Sequence, residues 1–431
     1  MEDLTLDIIA NGMDSDGIAR YNNKVYFVDG AIVGDKIDAI TIKENKNFNR
    51  AIIKNIITPS KYRCDAPCPY YTECGGCGLQ HIDYEYQLKI KQNNIQSLFD
   101  KNKLCVKVKD VIKSDKTFEY RNKLTLYLSD KNVLGFYEKK SKNIIPINNC
   151  LLVDDNFNNL IKIINKFLII NKDFALNLNG VAIREVFDCN KKCKYYLINL
   201  ILKNKSELKE FDNYLKTNKL KYSLYFCVNK ESNIPKYPCT FFGGTKEILQ
   251  EEFGIVFPIY PMSFLQVNNE IKKQIYLDVL NEIKQNDVVL DAYSGAGLLS
   301  AIISKKAKKV FAVEIDKDAN MASSKLQLLN NINNMASLLG DCAYVVPKLV
   351  KSEKLNTIIL DPARKGADKK TLLAISKSNA QNVIYISCNP STLTRDLCLL
   401  VGDYEIKSVQ PYDMFPQTSE VETVVKLTKR K

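Results

Sequence analysis

The alternation of apolar and polar positions changes character along the chain. Up to about residue 60, short apolar runs are punctuated by turn residues at Gly12, Asp14-Ser15-Asp16-Gly17, Tyr21-Asn22-Asn23, Asp29-Gly30 and Gly34-Asp35. The runs between them, 18–20, 24–28, 31–33, 36–42 and 51–56, predict short strands and a small β-barrel of the OB type. Such barrels often hold single-stranded nucleic acid, and as often serve other ends. Residues 82–101 repeat their apolar positions at helical spacing and predict an amphipathic helix. From 104 to 257, strands such as 123–128 and 133–137 mix with helical stretches without a clean repeat, as in an α+β region.

From 258 the pattern becomes regular. Helix 268–285, strand 288–291, helix 297–307, strand 310–314 and helix 317–331 follow one another. A strand near 337–339, strand 357–361, helix 369–379 and strand 382–387 come next. Apolar strands alternating with helices predict an α/β fold, a parallel sheet covered on both faces. Segments 404–409 and 422–427 read as a closing antiparallel hairpin. Three domains are expected, at 1–60, 61–257 and 258–431.

Charge narrows the partner. The 431 residues carry a net charge of +13, and only eight of the 62 basic residues are arginine. A basic surface suits a polyanion such as nucleic acid; an AT-rich genome, which favours lysine, produces the same excess. No apolar run approaches the ~18 residues of a membrane span. The N-terminal MEDLTLDIIANG lacks the basic flank and apolar centre of a signal peptide. A cytoplasmic protein without a membrane partner is expected.

Two candidate sites stand out. Asp291-x-Tyr293-x-Gly295-x-Gly297 falls where a strand turns into a helix, and glycines there let the backbone approach a ligand. Glu314 ends the next strand, placed to take ribose hydroxyls. Asp341 and Asp361 end later strands, and Asp341 is placed for an adenine edge. The dinucleotide pattern GxGxxG is not met, so S-adenosylmethionine fits better than NAD. Cys388, in Tyr385-Ile386-Ser387-Cys388-Asn389-Pro390, ends another strand, and Arg364 and Arg395 are expected close enough to favour its thiolate. Apart from these, Cys68, Cys74 and Cys77 crowd onto one glycine-bearing loop. By spacing alone the centre they hold is zinc or iron–sulfur. Cys64, just upstream, is read as a bystander.

Together Gln266-Val267-Asn268, LDAYSGAG, AVEID, LDPARKG, YISCNPSTLTRDL and VETVVKL resemble the RNA (uracil-5-)-methyltransferases. The match is closest to the bacterial 23S rRNA enzymes with an iron–sulfur cluster. The resemblance implies a TRAM barrel at the N-terminus for RNA binding and a central α+β domain carrying the cluster. It further implies a class I S-adenosylmethionine-dependent (Rossmann-like) domain at the C-terminus. Cys388 matches the nucleophile that adds to C6 of a flipped uracil, and Glu422 the base that removes the C5 proton. Gln266, Tyr293, Glu314 and Asp361 match cofactor positions, beside Gly295 and Asp341 of the loop reading. Cys68, Cys74, Cys77 and Cys150 match the ligands of a [4Fe-4S] cluster. The expected activity is formation of 5-methyluridine in 23S rRNA by a monomer. Rival readings are a tRNA uracil-5 methyltransferase, an RNA cytosine-5 methyltransferase and a non-catalytic iron–sulfur RNA-binding protein. Two departures are DPAR for the family's DPPR, and Gln417 where many members place a histidine; the chain's single histidine is His81.

Overall fold

The computed structural model describes residues 3–431 apart from 233, 236 and 237. The N-terminal strands lie side by side in the order Asp3–Asp7, Lys36–Glu44, Phe48–Thr58, Lys24–Asp29, Gly17–Tyr21, Ala10–Asn11. The first and last of these are consecutive pieces of chain. Between them the backbone bends, and Ile9 N donates to Ile18 O at 2.8 Å. One bent stretch thus pairs with both ends of the sheet and closes it into a barrel. Leu4, Leu6, Val28, Ile37 and Ala39 fill the interior. Strand Asp3–Asp7 is an addition to the expected set. The run 31–33 is not a strand: it lies in a turn, and Ile32 is buried against Leu79, Ile82 and Ile90 of the following segment.

Helix Tyr84–Lys101 begins where Asp83 accepts a hydrogen bond from Tyr86 N, an N-cap that satisfies an orphan donor. The central sheet has seven strands, ordered Thr240–Gly244, Tyr222–Val228, Cys193–Leu202, Leu178–Asp188, Lys123–Leu128, Leu134–Tyr137, Ile144–Pro146. Phe157, Ile161 and Phe167 of helix Asp155–Ile170, with Phe211 of helix Lys209–Thr217, share a core with Ile183 and Ile198 of that sheet. Val186, Leu197 and Tyr225 of the same strands belong instead to the core of the C-terminal region. Alternate residues of the sheet therefore serve two cores.

The C-terminal sheet runs Met335–Leu339, Lys309–Glu314, Val288–Ala292, Thr357–Leu360, Asn382–Ser387, Glu422–Lys429, Tyr404–Tyr412. The first five are parallel; Glu422–Lys429 is antiparallel to both its neighbours. The strand order reverses between Val288–Ala292 and Thr357–Leu360, and ligands of such sheets bind beyond the strand ends at that switch. The closing hairpin is as expected in kind, with its last strand inserted between two earlier ones rather than added at the edge. Helices Cys342–Ser352 and Pro390–Leu397 are additions to the expected elements. Among the described residues no helix is long and apolar enough to cross a membrane.

Candidate active site

The loop after Val288–Ala292 takes left-handed backbone at Tyr293, Gly295 and Gly297, with φ of 68°, 55° and 78°. At Gly297 a side chain is excluded by space as well: a Cβ would lie 2.3 Å from Ser323 Oγ. Gly295 N donates to Glu314 Oε2 and Asp316 N to Glu314 Oε1, both at 2.8 Å. Glu314 thus braces the loop from the next strand. Asp341 caps helix Cys342–Ser352, its Oδ1 accepting from Ala343 N at 2.9 Å. Neither bond exhausts the carboxylate, whose two oxygens offer about four acceptor sites.

Gln266, Tyr293, Gly295, Glu314, Asp341 and Asp361 line one cavity of about 1270 Å³, and Cys388 and Glu422 line it too. Pairing register explains the last two. Strands Asn382–Ser387 and Glu422–Lys429 are antiparallel with Ser387 opposite Thr423. Cys388 and Glu422 are the next residues on either side of that register, and the charge of Glu422 acts on the thiol. Asn389 holds the turn: its Oδ1 accepts from Ser391 N at 3.0 Å and its Nδ2 donates to Arg364 O at 3.1 Å.

The electrostatics differ from the expected thiolate. Burial and the charge of Glu422 push the Cys388 thiol up to about 11, against the pull of Arg364. Arg364 faces the thiol and pairs with Glu420. Arg395 does neither: Nε donates to Asp396 Oδ1 at 2.8 Å and a terminal nitrogen to Lys365 O at 2.9 Å. Glu422 is wholly buried, and desolvation with the nearby Asp361 holds its carboxyl well above the usual carboxylate range. Burial, with the charge of Asp291, raises Asp361 to about 7.

Gln417 forms no hydrogen bond to these groups among the described residues. It is buried, its Oε1 accepts from Gln87 Nε2 at 3.0 Å, and its backbone oxygen accepts from Gly78 N and Leu79 N, each at 3.0 Å. The residue at this position clamps helix Tyr84–Lys101 and the cysteine loop to the segment leading into Glu422. Lys91 of the same helix adds a buried ion pair to Asp413 at 2.5 Å. The barrel comes close as well: Asn94 Nδ2 donates to Gly12 O at 3.2 Å, and Met13 and Asp14 share a second cavity with Cys388.

Cys68, Cys74, Cys77 and Cys150 line a separate cavity of about 50 Å³, walled mainly by Tyr70, Tyr71, Leu124, Phe136, Ile147 and Leu152. Burial pushes the Cys77 thiol up to about 11 and that of Cys150 to about 12. Among the described residues no three His, Cys, Asp or Glu side chains are arranged to hold a single metal ion. Cys64 is outside the cavity lining, exposed, with Sγ 3.5 Å from Gln80 O. Sequence reasoning missed Arg121, which lines both this cavity and the large one. Its signal was the scarcity of arginine in a lysine-rich chain.

A family model described as tRNA (Uracil-5-)-methyltransferase matches residues 348–430, and one described as ribosomal RNA adenine dimethylase matches 260–338. A protein of Clostridium tetani described as an uncharacterized RNA methyltransferase is 35% identical, over 98% of this chain and 95% of its own length. A Listeria innocua protein described in the same words is 31% identical, over 99% of this chain and 97% of its own. Among solved structures, Pyrococcus abyssi tRNA (uracil-54, C5)-methyltransferase in complex with S-adenosyl-L-homocysteine is similar, with a TM-score of 0.80 and 23% identity. That match covers 99% of this chain and 100% of the other. With the fold of the class I S-adenosylmethionine-dependent methyltransferases, the chain belongs to the RNA methyltransferases.

Proposed function

We propose that this chain methylates C5 of a uridine in 23S rRNA, using S-adenosylmethionine and forming 5-methyluridine. The observation that carries the reading is the register that sets Cys388 opposite Glu422, at a cavity lined by the glycine loop and its acids. C5 of uracil is a weak nucleophile, and covalent addition of a thiolate splits a hard step in two. Cys388 Sγ bonds to C6, and the displaced π electrons make C5 and O4 electron-rich. S-adenosylmethionine supplies an electrophilic methyl, which C5 takes. Glu422 then receives the C5 proton, the C6–S bond breaks and the thiolate leaves. A carboxylate with proton affinity raised by burial is the stronger base once ionised. Arg364 is the positive group on the thiol and favours its ionisation.

Gln266, Tyr293, Gly295, Glu314, Asp341 and Asp361 are the groups proposed to hold the cofactor. Asp341 and Glu314 would do so while bracing their own loops. The N-terminal barrel is read as the RNA-binding TRAM unit, and its approach to Cys388 supports this. Cys68, Cys74, Cys77 and Cys150 are proposed to hold a [4Fe-4S] cluster. Their donor set is all sulfur within a largely apolar wall, and Arg121 Nε is buried beside it without a hydrogen-bond partner. That environment fits an anionic cluster wider than one ion. When bound, such a group ties the 68–77 loop to Cys150; methyl transfer needs no electrons from it.

The test is methyl transfer from labelled S-adenosylmethionine to 23S rRNA and, separately, to tRNA, with the product base mapped. Label in a 5-methyluridine of 23S rRNA is the expected result. Label in tRNA alone replaces the substrate, and transfer to neither RNA ends the enzyme reading.

A further inference from the structure

At the edge of the central sheet, strands Tyr222–Val228 and Thr240–Gly244 run antiparallel with Phe226 opposite Thr240. Cys227 and Cys239 are the next residues on either side of that register. Their side chains meet, the Cys227 sulfur being a hydrogen-bond partner of the Cys239 thiol. Asn199 Nδ2, on strand Cys193–Leu202, donates to Cys239 Sγ at 3.5 Å. Facing residues of an antiparallel pair have Cα atoms about 4.5 or 5.5 Å apart, within the ~4.4–6.8 Å that a disulfide spans. Cys227 is buried. Cys239 is half-buried and lines a cavity of about 750 Å³ with Tyr260, Phe264, Gly295 and Glu314. Gly295 and Glu314 belong to the proposed cofactor site, yet the proposed reaction uses neither thiol.

The surroundings favour one anion on this pair and oppose two. Adjacent thiolates repel, and the Cys227 sulfur together with burial pushes the Cys239 thiol up. The Asn199 N–H pulls it down, and the buried ammonium of Lys123 lies near enough to feel a charge on Cys239. A dithiol that releases one proton and keeps the other suits exchange, in which one sulfur attacks and its neighbour displaces.

We propose that Cys227 and Cys239 form a reversible disulfide by exchange with a low-molecular-weight disulfide that enters this cavity. Cys239 attacks, because of the two it is the one at the cavity wall. As thiolate, its Sγ bonds to one sulfur of the reagent, the reagent's S–S bond breaks, and the other half leaves and takes a proton. Cys227 gives its proton to solvent and bonds to Cys239 Sγ; the mixed S–S bond breaks, and the second half leaves as a thiol. The protein gives up two electrons and two protons, and the reagent takes them to become two thiols. The new bond adds a covalent rung to an edge strand whose ladder slips between Leu224 and Tyr225, and it fixes one wall of the cavity beside the cofactor loop. This proposal does not depend on which RNA is methylated.

The test equilibrates the full-length protein, anaerobically, with buffers of rising glutathione disulfide over glutathione. Samples are quenched in acid, unfolded and blocked with N-ethylmaleimide, and peptides are mapped by mass spectrometry; iron content is followed alongside. We expect a linked Cys227–Cys239 peptide at roughly 100-fold less oxidant than modifies the exposed Cys105 and Cys398, because the second step is intramolecular. Dithiothreitol should reverse it. Cys227→Ser should leave glutathione on Cys239, and Cys239→Ser should leave Cys227 unmodified. Three results overturn the proposal: both thiols still blocked by N-ethylmaleimide in buffers that modify Cys105 and Cys398, glutathione persisting on Cys239 of the wild type with Cys227 reduced, or a link that forms only in protein that has lost its iron.

Discussion

Two sets of half-buried thiols lie in this molecule, and burial pushes both upward: Cys388 and Cys77 each to about 11. What separates them is company. Cys388 stands alone at a strand end, facing one guanidinium and a cluster of carboxylates in a cavity large enough for a nucleotide and a cofactor. Cys68, Cys74, Cys77 and Cys150 face one another across a small apolar hollow. Burial alone therefore does not tell Cys388 and Cys77 apart. On the proposed reading, the lone thiol attacks and leaves while the four clustered thiols hold a cluster.

The sharpest break of this comparison is Cys388→Ala. Turnover should fall by roughly 10⁴-fold or more, the scale on which losing a nucleophile acts, and no covalent RNA complex should survive denaturing electrophoresis. A residual adduct would mean that another thiol attacks. Next comes Glu422→Gln, expected to slow turnover ~100- to 10⁴-fold, as loss of a general base does, while the adduct accumulates. Normal turnover would remove Glu422 as the base. On the other side of the comparison, Cys77→Ser should lower bound iron and bring Tm down by roughly 5 °C or more. Cys64→Ser, at an exposed thiol outside the cavity, should change neither; equal effects would erase the distinction between ligand and bystander.

The smallest effect concerns pH. With the Cys388 thiol near 11, the thiolate fraction rises about tenfold per pH unit below that value, so adduct formation should climb steadily from pH 6 to 8. Arg364→Gln removes the charge that favours the thiolate and should slow adduct formation about tenfold at pH 7. The deficit should stay near tenfold from pH 6 to 8 and shrink only as pH approaches the thiol's value near 11. A flat profile in both proteins would show that thiol ionisation does not limit the step.

Much of the C-terminal fold was legible because its strands are buried on both faces and read as unbroken apolar runs. The helices that escaped have local reasons. Pro347 sits inside Cys342–Ser352 and masked it. Asn389-Pro390 looked like a turn, yet Asn389 is an N-cap and Pro390 the first helical residue. Cys388 opposite Glu422 could not be read from spacing, since their meeting depends on which strand the last one joins. Cys150 is drawn to Cys77 by the sheet, and only the family resemblance pointed to it. Ile32 looked like strand because it is apolar, but it packs outward onto Leu79 and Ile82. The role of position 417 was hidden because its partners, Gln87, Gly78 and Leu79, lie more than 300 residues away.

The strand Glu422–Lys429 enters between two strands already made. During synthesis, Asn382–Ser387 and Tyr404–Tyr412 emerge before the strand that lies between them in the finished sheet. Cys388 is then made without Glu422, the carboxylate proposed as its base, beside it. Filling the slot completes the sheet and, in the same step, brings the proposed base beside the thiol.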